Sequence, residues 1–342
     1  MKVGESGRFE EIDVLRGVAA VAVVVFHYAG HCLKVFGDFP FDFRIGARGV
    51  ELFFLVSGFV IYFTLKRSRS LWDFAFSRFS RLYPVYWGTL TLVIFIDVTV
   101  FDKKMWWGGY IVNMTMLQKF VGFPDIDTVF WSLAVELAFY VIMGALLATG
   151  LLKKIVWVCL IWLVIASAWV IATRVYGIEL SGAFATYLIL PYVPYFIAGI
   201  MFYLISAEGA NPERVLIIIC CLAVEWLVNG REMMLIALAL FTVFALAING
   251  ALRGCVLSVT VWLGAISYPL YLVHRELGYQ VLFKLHALGV PSLISFVITL
   301  IGALVLASIM CYGVERPAMR ALRQWHRKST VKSGVPLSEG HH

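Results

Sequence analysis

Residues 14–34 read VLRGVAAVAVVVFHYAGHCLK, an apolar run of the length that crosses a bilayer, with Arg16 and His27 set into it. The two are eleven residues apart, which at 100° per residue puts them within about 20° of one helix face and roughly 16 Å apart along the axis. Ionisable side chains inside a span are costly and face a bundle interior or a wet cavity. This stretch therefore predicts a membrane helix with a functional face, Arg16 near one boundary and His27 in the half beyond it. It is not read as a cleaved signal peptide, because it holds His27 and His31 and lacks a small-x-small cleavage site.

The rest of the chain repeats the pattern. Of its 342 residues 61% are hydrophobic and 14% charged, against roughly a quarter charged in a soluble domain, which excludes a soluble enzyme and a disordered chain alike. Spans are expected near 14–34, 48–65, 82–101, 129–150, 155–175, 184–204, 213–229, 232–250, 256–281 and 291–314, giving an all-α, polytopic bundle of about ten helices. The boundaries are a short N-terminal segment (1–13), one membrane domain (14–314) and a basic tail (315–342). With an even number of spans both termini share a side, and roughly 18 of the 28 Lys and Arg fall there. The positive-inside rule makes that side cytoplasmic, in a cell's inner membrane. The net charge of +7 is thus read as orientation and contact with anionic lipid headgroups, not as nucleic-acid binding, and the tail as flexible. Between residues 102 and 127, Trp106, Trp107 and Tyr110 predict an interfacial connector on the outer side. The six cysteines form no C-x-x-C pair and are read as small hydrophobes, and no metal site is expected.

Other polar residues fall where lipid would exclude them. Trp131 through Glu136 opens the fourth span from the outer side, so Glu136 is expected at the depth of His27. Tyr271 and His274 occupy the outer half of the ninth span, where Pro269 should kink or break the helix and imply a cavity. Glu51 follows Arg44 and Arg48 at the start of the second span, either paired with Arg48 at headgroup level or turned toward a substrate. At the inner face Arg78 and Arg81, three residues apart behind Lys66, Arg67 and Arg69, project from one side of a turn and suit a multiply charged anion, although basic inner loops are also what topology alone demands.

Taken in order, the motifs resemble the membrane acyltransferase 3 family. They are Leu15-Arg16-Gly17 with ten residues between Arg16 and His27, Gly49 through Phe59, the R-x-x-R loop from Arg78 to Pro84, Trp131-Ser132-Leu133 with Glu136, Ile266-Ser267-Tyr268 with Tyr271 and His274, and Glu315-Arg316-Pro317. The resemblance covers nearly the whole chain. It departs at Glu51, where the family more often has Asp, and in lacking a fused outer domain, which implies the stand-alone form.

What the resemblance implies is transfer of an acyl group, commonly acetyl from acetyl-CoA, to a hydroxyl of a carbohydrate or lipid-linked glycan in the envelope. Arg16, Arg78 and Arg81 would hold the CoA phosphates. His27 would act as general base, with Glu136 orienting it or stabilising its imidazolium. Tyr271, Trp131 and Glu51 would face the acceptor, and His274 would either bind the sugar or support His27. A transient acyl-His27 is the other route open to the same residues. The rival reading is a proton-coupled transporter or lipid-linked sugar flippase using His27, Glu136 and His274, against which stand the arginine pole and the lack of an internal repeat.

Overall fold

The computed structural model describes residues 9–68, 70–178 and 182–332. Lys2, Arg8, Arg69 and the terminal His341 and His342 lie outside the described residues. Among those described there is helix and turn with no strand. The helices are α1 (Glu10–His31), α2 (Gly49–Arg67), α3 (Leu71–Phe101), α4 (Trp107–Met114), α5 (Trp131–Ala148), α6 (Ile155–Arg174), α7 (Gly182–Tyr187), α8 (Val193–Glu208), α9 (Pro212–Asn229), α10 (Arg231–Ile248), α11 (Ser258–Val273), α12 (Arg275–Ala287), α13 (Ser292–Met310) and α14 (Arg316–Lys332).

Eight helical stretches are long and apolar enough to cross a membrane, and the chain is an integral membrane protein. The two further spans expected from the sequence correspond to α9 and α11, and each falls short for a local reason. Glu213, Arg214 and Glu225 interrupt the apolar run of α9. The ninth span is not one helix, because α11 stops at Val273 and α12 restarts at Arg275. The break lies beyond Pro269, not at it. Pro269 leaves the Ala265 carbonyl without its helical donor, and the Cys311 thiol of the neighbouring segment donates to that oxygen at 3.4 Å.

Helix α1 runs through the centre, packed on α2, α10, α11, α12 and α13, while α8 joins α2 to α9 and α10. Its closest crossing is with α11. A Cβ on Gly17 would lie 2.7 Å from the Gly264 backbone nitrogen, and one on Gly264 would lie 2.3 Å from the Asp13 carbonyl oxygen, so only glycine fits at either position. In lipid, where burying apolar surface gives little drive, such small-residue contacts are what hold helices together.

Two elements differ from expectation. The R-x-x-R segment is no loop. Helix α3 begins at Leu71, where the Ser70 hydroxyl accepts from the Asp73 backbone N–H at 3.1 Å, an N-cap with an acidic first turn, and it continues through Pro84. The tail after Glu315 begins as helix α14, which packs on α3: His326 Nε2 donates to Asp73 at 2.8 Å and its ring stacks on Phe76 at 4.5 Å.

Candidate active site

Two cavities lie end to end inside the bundle. One, of about 270 Å³, is lined by Arg16 and Asp13 of α1, Ser57 of α2, Arg78 and Arg81 of α3, Glu136 and Tyr140 of α5, Tyr268 of α11 and Arg323 of α14. The other, of about 430 Å³, is lined by His27, Arg48, Glu51, Trp131, Tyr192, Tyr195, Glu225 and Asn229. Val50 and Tyr271 line both and form the partition. The Tyr271 hydroxyl is held by the Val129 carbonyl at 3.1 Å and by Ser132 at 2.7 Å, so its ring is fixed on that wall.

The arginines converge in the first cavity. Arg16 donates to Asp13 at 3.2 Å, and Arg81 faces Glu315 at 3.9 Å. Arg78 donates to Ser77 at 3.1 Å and lies over the Tyr140 ring at 5.9 Å, yet its buried Nε has no acceptor. Four guanidinium groups line this cavity with the carboxylates of Asp13 and Glu136, and Glu315 stands behind Arg81. Arg323 was not anticipated, because its contribution depends on the tail folding back as α14.

His27 sits at the far end of α1, and its partner is His274. His274 is fully buried, and its Nδ1 lies 2.8 Å from the Tyr271 carbonyl oxygen, while His27 Nδ1 lies 3.0 Å from the Val23 carbonyl oxygen. A carbonyl oxygen only accepts, so both Nδ1 atoms carry the proton. His274 Nε2 is then a lone pair 3.0 Å from His27 Nδ1, so the single Nδ1–H is shared between it and the Val23 carbonyl. The remaining nitrogen, His27 Nε2, is unprotonated.

Backbone contacts fix the pair. The Tyr28 hydroxyl donates to the His274 carbonyl at 2.7 Å, and the Tyr279 hydroxyl to that of His27 at 3.3 Å. Asp127 accepts from the Glu276 backbone N–H at 3.0 Å, capping the start of α12, and from Arg275 at 3.3 Å. Burial pushes the Asp127 carboxyl up from its ordinary range, against the pull of the Val129 and Glu276 N–H groups and of Arg275.

Glu136 does not reach His27. It accepts from Ser57 at 2.8 Å and from Tyr140, inside the arginine cavity. The sequence expectation placed it at the depth of His27, but α5 starts at Trp131 beside the histidine cavity, and five residues on, about 7.5 Å along the axis, Glu136 has passed the partition. Trp131 and Glu51 do line the cavity with His27, and Glu51 accepts from Arg48 at 3.0 Å.

A family model described as an acyltransferase domain matches residues 9–312. The chain belongs to the acyltransferase 3 family. As a member it is an integral-membrane acyltransferase, and an acyl donor is implied as its co-substrate. Nodulation protein 10 of Rhizobium leguminosarum bv. viciae is 24% identical over 92% of this chain and 94% of its own length. Acyltransferase MdmB of Streptomyces mycarofaciens is 28% identical over 39% of this chain and 38% of its own. Peptidoglycan O-acetyltransferase OatA of Listeria monocytogenes is 28% identical over 40% of this chain and 24% of its own. No solved structure matches the chain.

Proposed function

We propose that this acyltransferase 3 member moves an acyl group, acetyl being the first candidate, from cytoplasmic acyl-CoA to a hydroxyl of a carbohydrate or lipid-linked glycan on the outer side of the inner membrane. Both termini then lie in the cytoplasm. The observation that carries the reading is the pair of cavities sharing Val50 and Tyr271, one lined by four arginines and the other by an imidazole with a free Nε2.

The arginine cavity suits the phosphates of CoA. Guanidinium groups bind phosphate oxygens in pairs, and the unpartnered Nε of Arg78 is a donor that such an anion would satisfy. From there the pantetheine arm passes Val50 and brings the thioester to His27. His27 Nε2 takes the acceptor's hydroxyl proton as its oxygen bonds to the thioester carbonyl carbon. The C–S bond breaks and the sulfur leaves as CoA thiolate, which the imidazolium then protonates. The His27 Nδ1–H to His274 Nε2 bond becomes charge-assisted as the imidazolium forms, so His274 has the stabilising role that the sequence gave to Glu136. Glu136, held by Ser57 and Tyr140, belongs to the donor wall.

Membrane vesicles given radiolabelled acetyl-CoA test this reading. Label should enter the glycan fraction in a His27-dependent manner. The Arg78→Ala/Arg81→Ala double variant should bind CoA at least about tenfold more weakly, because each charge-assisted bond is worth about 1.5–3 kcal/mol. Unlabelled glycans with the active chain, or unchanged CoA affinity in the double variant, would contradict it.

A further inference from the structure

The histidine cavity holds two carboxylates that the transfer chemistry leaves without a task. Glu225 of α9 is fully buried; its Oε1 accepts from the Tyr195 hydroxyl at 3.0 Å and from Asn229 at 2.8 Å, and its Oε2 has no donor. Glu51 of α2 is 9% exposed; its Oε1 accepts from Arg48 at 3.0 Å, and its Oε2 also has no donor. Buried polar atoms are nearly always paired, and an acidic residue within a membrane bundle is kept at a cost that function has to justify. Glu225 is moreover one of the charges that interrupt the apolar run of α9.

The surroundings define what would satisfy these oxygens. Arg48, which lines the same cavity, already supplies a positive charge to Glu51 at 3.0 Å, so that carboxylate does not call for a second cation. It calls for neutral O–H donors. Trp131, Tyr192 and Tyr195 line the same space and offer apolar faces to the C–H side of a ring.

We propose that Glu225 and Glu51 each accept from a hydroxyl of the acceptor, so that the substrate is a neutral polyhydroxylated sugar with one hydroxyl at His27 and two others, one on each carboxylate. The inference rests on the transferase reading for the role of His27, and it adds the residues that select the acceptor.

Titration calorimetry of the purified full chain tests it, with N-acetylglucosamine disaccharide and a glucose disaccharide as acceptor probes, their amine-bearing glucosamine counterpart as the charged comparison, and CoA as the donor-side control. A neutral disaccharide should bind the unmodified chain at millimolar strength. Glu225→Gln, which turns an acceptor oxygen into a donor while keeping size, should weaken that binding at least about tenfold, and Glu51→Gln likewise, with CoA affinity unchanged. If Glu225→Gln also loses CoA binding, the variant is misfolded and Glu51→Gln decides. The proposal is overturned if no neutral disaccharide binds, if both variants bind as the parent does, or if the charged sugar binds more tightly than the neutral ones. Sugar binding that depends on Glu225 in a protein that transfers nothing from acetyl-CoA would leave this subsite standing and remove the transferase reading instead.

Discussion

At the scale of single residues the chemistry turns on which nitrogen of His27 is free. Two carbonyl oxygens, of Val23 and Tyr271, fix the protons of the histidine pair and leave Nε2 free for the base role proposed for it. His27→Ala should therefore lower acyl transfer by about 10²–10⁴-fold, the usual contribution of a general base, with the protein still inserted in the membrane and CoA still bound. Transfer at the parent rate would remove His27 from the chemistry. His274→Ala should cost less, about ten- to a hundredfold in kcat with little change in CoA affinity, since it removes one hydrogen bond to a forming imidazolium, worth about 1.5–3 kcal/mol; a change in CoA affinity alone would contradict that role. The sequence identified both histidines, because ionisable groups within apolar runs are conspicuous. It did not reveal their contact, nor that Glu136 lines the cavity of the arginines. Depth was counted from assumed helix ends, and an error of a few residues at 1.5 Å each is enough to carry a side chain past a partition one residue thick. Tyr140, one turn beyond Glu136 on the same face, was a signal that the spacing already contained.

At the scale of elements, the histidines meet because two helices are indexed alike. Gly17 and Gly264 mark the crossing of α1 and α11, and each histidine lies ten residues beyond its glycine, about 15 Å along the axis. Gly17→Leu should force the helices apart at backbone contacts that cannot yield, lowering thermal stability and abolishing transfer together. A stable variant that keeps full activity would show that the crossing does not set the site. The glycine of the Leu15-Arg16-Gly17 motif was legible, but its partner ten residues before His274 acquires meaning only once α1 and α11 are known to touch. Likewise the apolar run predicts a third span only from residue 82, behind an R-x-x-R loop, whereas the cap at Ser70 moves the true start of α3 upstream and places both arginines inside the helix. Just past the C-terminal end of α3, Lys103 links that helix to α12 through Asp97 at 2.7 Å and Glu276 at 3.1 Å. Burial lowers its tendency to hold a proton, but these partners outweigh it and raise Lys103 above its ordinary 10.5. The sign follows directly: the link contributes fully below pH 10.5 and fades as pH rises through the higher folded value. Alkaline titration of thermal stability should show a loss in that window that Lys103→Gln lacks, and identical profiles would show that the link contributes nothing.

At the scale of the molecule, composition announced a helical membrane bundle, and the two helices that fail as plain spans, α9 and α11, are those carrying Glu225 and leading to His274. Propensity and hydropathy report where a chain pleases lipid; they are blind to the places where it gives that up for a cavity, and those had to come from packing. The division of one expected corridor into two chambers is of this kind. Val50 is an unremarkable valine in the sequence, yet with Tyr271 it is the wall that a thioester would have to pass in the proposed reaction. Val50→Trp fills that passage without touching an arginine or a histidine. Measured side by side, its CoA affinity should stay within about twofold of the parent while acyl transfer falls by about a hundredfold or more, the scale expected when reacting groups are kept apart. Transfer at the parental rate through a blocked partition would contradict the claim that the donor reaches His27 from the arginine cavity.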